Sequence, residues 1–131
     1  SIPFWFAKPE KISMMQGWVN QNCEAMLPIV VGHGNTPKQM VEALIDTGFS
    51  GFLSLPLSMI ESLGLPWIFS DSVTLGNGSE AIFQMYRATV IWDGQFKVVD
   101  VAASESEPLL GMSLLYRFKL QVEAVERGIV T

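Results

Sequence analysis

The apolar runs of this chain are short and are bounded by glycine, proline and Asp-Gly turns, which predicts strands more than helices. From Trp18 to Val31 the pattern is strand-like, ending at the turn signal Gly32-His33-Gly34-Asn35. Met40 to Ile45 is a second apolar strand, and it delivers Asp46 into a Thr47-Gly48 turn. Val73 to Phe83 reads as a hairpin with a glycine-flexed tip at Gly76-Asn77-Gly78. A further hairpin runs from Tyr86 to Trp92, turns at Asp93-Gly94 and returns from Phe96 to Val101. Phe118, Leu120 and Val122 alternate with Lys119, Gln121 and Glu123, the period of a strand with one wet face. Helical signals are confined to two places. Pro56 to Gly64 reads as a short helix, with proline suited to the first turn and glycine to the stop. Pro108 to Leu115 is an apolar segment with one glycine that leads into another. The expected fold is all-β with one or two short helices, without repeats or linkers.

The opening residues combine two prolines with Phe4, Trp5 and Phe6, and residues 1–15 are expected to be an arm that docks its aromatics on the core or on a partner. Residues 16–131 are expected to be the domain. A length of 131 residues with 49% hydrophobic composition is enough for one such core. The net charge of -5 argues against a nucleic-acid partner, and no basic patch suggests a membrane surface. No apolar run reaches the ~18–20 residues of a membrane span. The first segment lacks the basic start and long apolar core of a secretion signal, so a cytoplasmic location is expected.

Several familiar chemistries are absent from the pattern. Cys23 is the single cysteine, so an intrachain disulfide is excluded, and no His or Asn stands in a recognisable relation to it as a nucleophile. His33, the single histidine, sits in a turn without acidic or cysteine partners at ligand spacing, so no metal is expected. Gly76 to Ala81 formally fits a dinucleotide-binding Gly-x-Gly-x-x-Ala, but the fingerprint needs a following helix and Ile82 to Tyr86 reads as a strand. No cofactor is expected. Asp93 reads as a turn residue, Asp100 as a wet-face strand residue, and Asp71, near Ser70 and Ser72, as a loop residue or cap.

That leaves Ala43-Leu44-Ile45-Asp46-Thr47-Gly48-Phe49-Ser50-Gly51, an acidic residue between an apolar strand and a glycine turn. The run resembles the Asp-Thr-Gly signature of aspartic proteases. It continues into Leu53-Ser54-Leu55-Pro56 and is followed by Leu75-Gly76-Asn77-Gly78 and by Leu109-Leu110-Gly111-Met112-Ser113-Leu114-Leu115. In that order and rough spacing, from about Trp18 to Val122, the chain is similar to the retropepsin-like aspartic proteases. It is more like the small bacterial members than the viral ones. The signature occurs once, and the chain is too short for the two-lobed, single-chain form.

The resemblance implies a closed retropepsin-like β-barrel and a homodimer with its active site on the two-fold axis. Asp46 of each chain would activate a water against a peptide bond. The Thr47 hydroxyl would lock the two loops across the axis, and Gly48 would let backbone N–H groups approach the carboxylate. Leu109-Leu110-Gly111 would pack behind the catalytic loop. Val73 to Phe83 would be the flap, and Gly76, Asn77 and Gly78 at its tip would hydrogen-bond an extended peptide or protein substrate. Two departures stand out: Phe49-Ser50 where viral members carry Ala-Asp, and Met112 where they carry Arg, so both ends of a charge network are neutral here. The viral interface strands have no clear equivalent, which points to Gln121 to Thr131 or the aromatic arm. The rival expectations are a catalytically inactive module that binds extended peptides, and a dimerisation domain in which Asp46 only makes a turn.

Overall fold

Turn chemistry cuts the chain into its elements. The computed structural model describes residues 15–131; the predicted arm lies outside the described residues except for Met15, which packs half-buried against the core. Strand β1 (Gly17–Val19) and strand β2 (Ala25–Gly32) come from the first apolar run, which the sequence pattern predicts as one strand. Asn20 divides it. Its Oδ1 accepts the backbone N–H groups of Asn22 at 2.9 Å and Glu24 at 3.0 Å. A side chain that captures neighbouring amides offers the backbone an alternative to the ladder, and here the alternative wins.

Strand β3 (Gln39–Ile45) and strand β4 (Leu53–Pro56) flank the Asp46 loop. Helix α1 (Leu57–Leu63) begins after Pro56, whose φ of -59° suits a helix entry. It stops at Gly64, which takes φ 65° and donates its N–H to the last turn. Strands β5 (Trp67–Thr74), β6 (Glu80–Trp92) and β7 (Gln95–Ser104) form two consecutive hairpins. Asp93 and Gly94 both have positive φ, 51° and 75°, the backbone that matches the twist of a tight hairpin. The two predicted hairpins share one continuous strand: the first half of β6 pairs with β5, the second with β7, and the partners change at Met85 and Tyr86. At the same level β5 carries an irregularity between Trp67 and Phe69.

Strand β8 (Leu109–Leu110), helix α2 (Met112–Leu115) and strand β9 (Ile129–Val130) complete the chain. The sheet runs β5-β6-β7-β4-β8-β3-β2-β1-β9, and β6 also pairs with β2 through Val30 to Gly32. That extra pairing closes β6-β7-β4-β8-β3-β2 into a six-stranded barrel. The fold is therefore all-β, closed, with two short helices among the described residues. Val31, Ala43, Leu55, Val90, Val101 and Leu110 are fully buried. Each large aliphatic among them contributes about 1.5–3 kcal/mol on leaving water.

Phe118 to Val122 does not form the predicted strand. Arg117 takes φ 72° directly after α2, and the alternating apolar residues are held by packing instead of a ladder. Phe118 meets Trp92 edge-on, with ring centroids 5.7 Å apart. Only at Val122 does a bridge form, to Val130, flanked by reciprocal 3.0 Å hydrogen bonds between Gln121 and Thr131. The segment from Gln121 to Thr131 thus pairs with itself and with β1 within the chain. Among the described residues, no helix is long and apolar enough to cross a membrane.

Candidate active site

Strand β3 buries Val41, Ala43 and Ile45 on one face and carries Asp46 to the barrel rim. The Asp46 N–H still donates to the Leu110 carbonyl at 2.9 Å, so the residue is anchored to β8 as the chain turns away. Its Oδ1 accepts the Gly48 N–H at 2.9 Å, and the Phe49 N–H donates to the Asp46 carbonyl at 3.1 Å. This Asx turn fixes one carboxylate oxygen on a backbone amide. A Cβ at position 48 would stand 3.2 Å from Oδ1, a close approach that glycine relieves. Asp46 is half-buried, while Thr47 and Gly48 are exposed. The Thr47 hydroxyl makes no hydrogen bond to the described residues of its own chain.

The loop is braced from behind. The N–H groups of Gly111, Met112 and Ser113 donate to the carbonyls of Phe52 at 3.0 Å, Phe49 at 2.8 Å and Gly51 at 3.1 Å. These are first-turn donors of α2, which lack partners within a helix and find them in the loop. Ser113 Oγ adds a 2.5 Å bond to the Ser50 carbonyl. A Cβ on Gly111 would meet the Gly51 carbonyl oxygen at 2.2 Å, so only glycine fits between β8 and the loop. Leu109-Leu110-Gly111 packs behind the Asp46 loop, as the resemblance implies. Phe49 lies over Gly51 and Gly111, and the Met112 side chain is exposed. The neutral Phe49-Ser50 and Met112-Ser113 pairs are joined through backbone carbonyls instead of a salt bridge.

The β5–β6 hairpin stands beside this loop. Its tip is closed by Leu75 N–H to Ser79 O at 2.7 Å and by Asn77 Oδ1, which accepts from the Ser79 N–H at 3.0 Å. Gly78 takes φ 83° there. A groove of about 600 Å³ lies between the hairpin and the loop, with Gly48 to Gly51 at its loop end. Phe69, Val73, Phe83 and Met85 give it an apolar wall. Gly48 therefore joins the groove, whereas Gly76, Asn77 and Gly78 are exposed and do not line it.

Two carboxylates also face the groove. Asp100 lies on β7, paired with Arg87 at 3.5 Å. Asp71 is neither a loop residue nor a cap: it lies mid-strand in β5, opposite Phe83. The alternation Phe69-Asp71-Val73 carried the signal for that placement, but two neighbouring serines gave the segment the look of a turn. Among the described residues, no group of three His, Cys, Asp or Glu side chains is placed to hold a metal ion.

No family model matches the chain, and no curated protein matches it. A viral protease is similar in fold. The solution structure of Simian Foamy Virus (mac) protease is 20% identical, with a TM-score of 0.48, over 67% of this chain and 90% of that chain.

Proposed function

We propose that this protein is an aspartic endopeptidase that works as a homodimer, hydrolysing peptide bonds with water activated between two Asp46 carboxylates. The observation that carries the reading is the 2.9 Å bond from the Gly48 N–H to Asp46 Oδ1 on a braced loop that opens into a groove. One carboxylate per chain is too few for the chemistry. An ionised partner takes the proton of the water, and a protonated partner polarises the scissile carbonyl and then supplies the leaving amine. Two carboxyls in contact share one proton, so the pair titrates as a unit and activity falls on both sides of an optimum. Closed two-fold symmetry brings a second Asp46 to the first at little cost in new structure.

The substrate is an extended peptide. Among the described residues strand β5 ends the sheet, so its outer edge offers a place for an added strand, and the apolar wall beside it receives alternate side chains. Thr47 hydrogen-bonds across the axis in this reading, and the Gly76-Asn77-Gly78 tip closes over the bound peptide. No cofactor takes part.

The test is cleavage of an unfolded protein from acid to neutral pH by the wild type and Asp46→Asn, with the association state followed by sedimentation. Product from the wild type alone, with a bell-shaped pH profile, supports the dimeric protease. Cleavage by both variants would rule Asp46 out. No cleavage by a demonstrated dimer, together with peptide binding, would replace the reading with that of a peptide-binding module.

A further inference from the structure

We propose that Asp71 makes the groove selective for extended peptides that carry a lysine or arginine side chain, an inference that rests on the peptide-cleaving reading above and narrows its substrate class. Phe69, Asp71 and Val73 occupy alternate positions of β5 and line the groove together. Residues two apart on a strand share a face, so the carboxylate stands between two apolar side chains on the wall a bound peptide would meet. Phe83 and Met85 on the neighbouring strand extend that apolar surface.

The two groove carboxylates are not equivalent. Asp100 is answered by Arg87 at 3.5 Å. Asp71 has no ion pair or side-chain hydrogen bond among the described residues. The groove therefore presents one uncompensated negative charge, in a chain whose net charge of -5 already favours the approach of cations. Lysine and arginine match this surface in both parts: their methylene stems lie along apolar walls while the charged head reaches a polar group. A glutamate side chain would meet Asp71 as a like charge, and a purely aliphatic one would leave the carboxylate facing it. In a two-fold dimer each groove contributes one Asp71, so the preference appears on both sides of the cleaved bond.

The experiment maps the bonds cut in unfolded casein by mass spectrometry. It then measures kcat/KM for decapeptides built on one such site, with lysine, norleucine or glutamate at each position flanking the bond. The wild type is expected to prefer lysine over norleucine by about three- to tenfold at one position on each side, the size of a partly exposed charge-assisted contact. Asp71→Asn, which keeps the shape, brings that ratio to about one, and Asp71→Lys inverts it in favour of glutamate. Asp100→Asn moves the ratio less. A wild type that cleaves without regard to charge, or a preference retained by Asp71→Asn, overturns the proposal and leaves the protease reading standing. If no peptide is cut, binding of the fluorescein-labelled lysine and glutamate peptides separates the two claims. A lysine preference lost in Asp71→Asn keeps the groove assignment and discards the protease, while no preference discards both.

Discussion

Ser113 Oγ donates a 2.5 Å hydrogen bond to the carbonyl of Ser50, joining positions 63 residues apart in sequence at the back of the Asp46 loop. Ser113→Ala removes this bond while leaving the three backbone bonds beside it. The expected cost is about 1 kcal/mol of stability, the net worth of one such interaction, with a fall in kcat/KM through a looser loop. Chemical denaturation alongside peptide cleavage checks both parts, and unchanged values in both would remove Ser113 from the brace.

Because that brace is neutral, raising the salt concentration is expected to leave the loop's support intact. Screening acts on exposed charges and little on hydrogen bonds between uncharged groups. Denaturation midpoints at low and at molar sodium chloride should agree within the few tenths of a kcal/mol expected from the Arg87–Asp100 pair. A steep loss with salt would mean that a charge network carries the loop.

Gly111→Ala is expected to be severe. The added methyl would lie 2.2 Å from the Gly51 carbonyl oxygen, a contact with backbone that no rotamer change relieves. Overpacking of this kind costs about 1–3 kcal/mol or more. Thermal unfolding should show a large loss, accompanied by loss of cleavage even at temperatures where the variant stays folded.

Asp46→Asn separates folding from chemistry. The asparagine Oδ1 still accepts the Gly48 N–H, so stability should stay within about 1 kcal/mol of wild type. Cleavage should fall at least about a thousandfold, since an amide cannot take a proton from water.

Leu55→Ala tests the barrel core. The side chain is fully buried on β4, and truncation there should cost about 2–5 kcal/mol, read from the urea midpoint at constant slope.

The sequence was most readable where residue type dictates backbone. Gly64 and Asp93-Gly94 adopt the left-handed conformations their types favour, so the helix stop and the hairpin turn fell where expected. The placement of Gly111 behind the Asp46 loop was legible only through the resemblance to a known family; the structure supplies its physical reason, a close approach of two backbones that leaves room for glycine alone. Asn20 was missed because an apolar pattern does not reveal that one amide side chain will capture two backbone N–H groups. Phe118 to Val122 misled because period two shows which side chains are buried, not whether a neighbouring strand exists to complete the ladder. Asp71 and Asp100 share the groove only because β5, β6 and β7 lie side by side, a pairing that local pattern does not reveal.

Strand β6 is one unbroken element from the exposed hairpin to the buried barrel wall, so the hairpin is a lever built on a fixed beam. It changes partners at Met85 and Tyr86, level with the irregularity between Trp67 and Phe69 in β5. Bending should concentrate at that level, because above it only two strands resist and below it the closed barrel does. Amide exchange along this single strand should therefore fall into two regimes, fast from Glu80 to Gln84 and slow from Ala88 to Trp92. Access to the groove would then be timed by flexing at the hairpin's base, and not by melting at its tip.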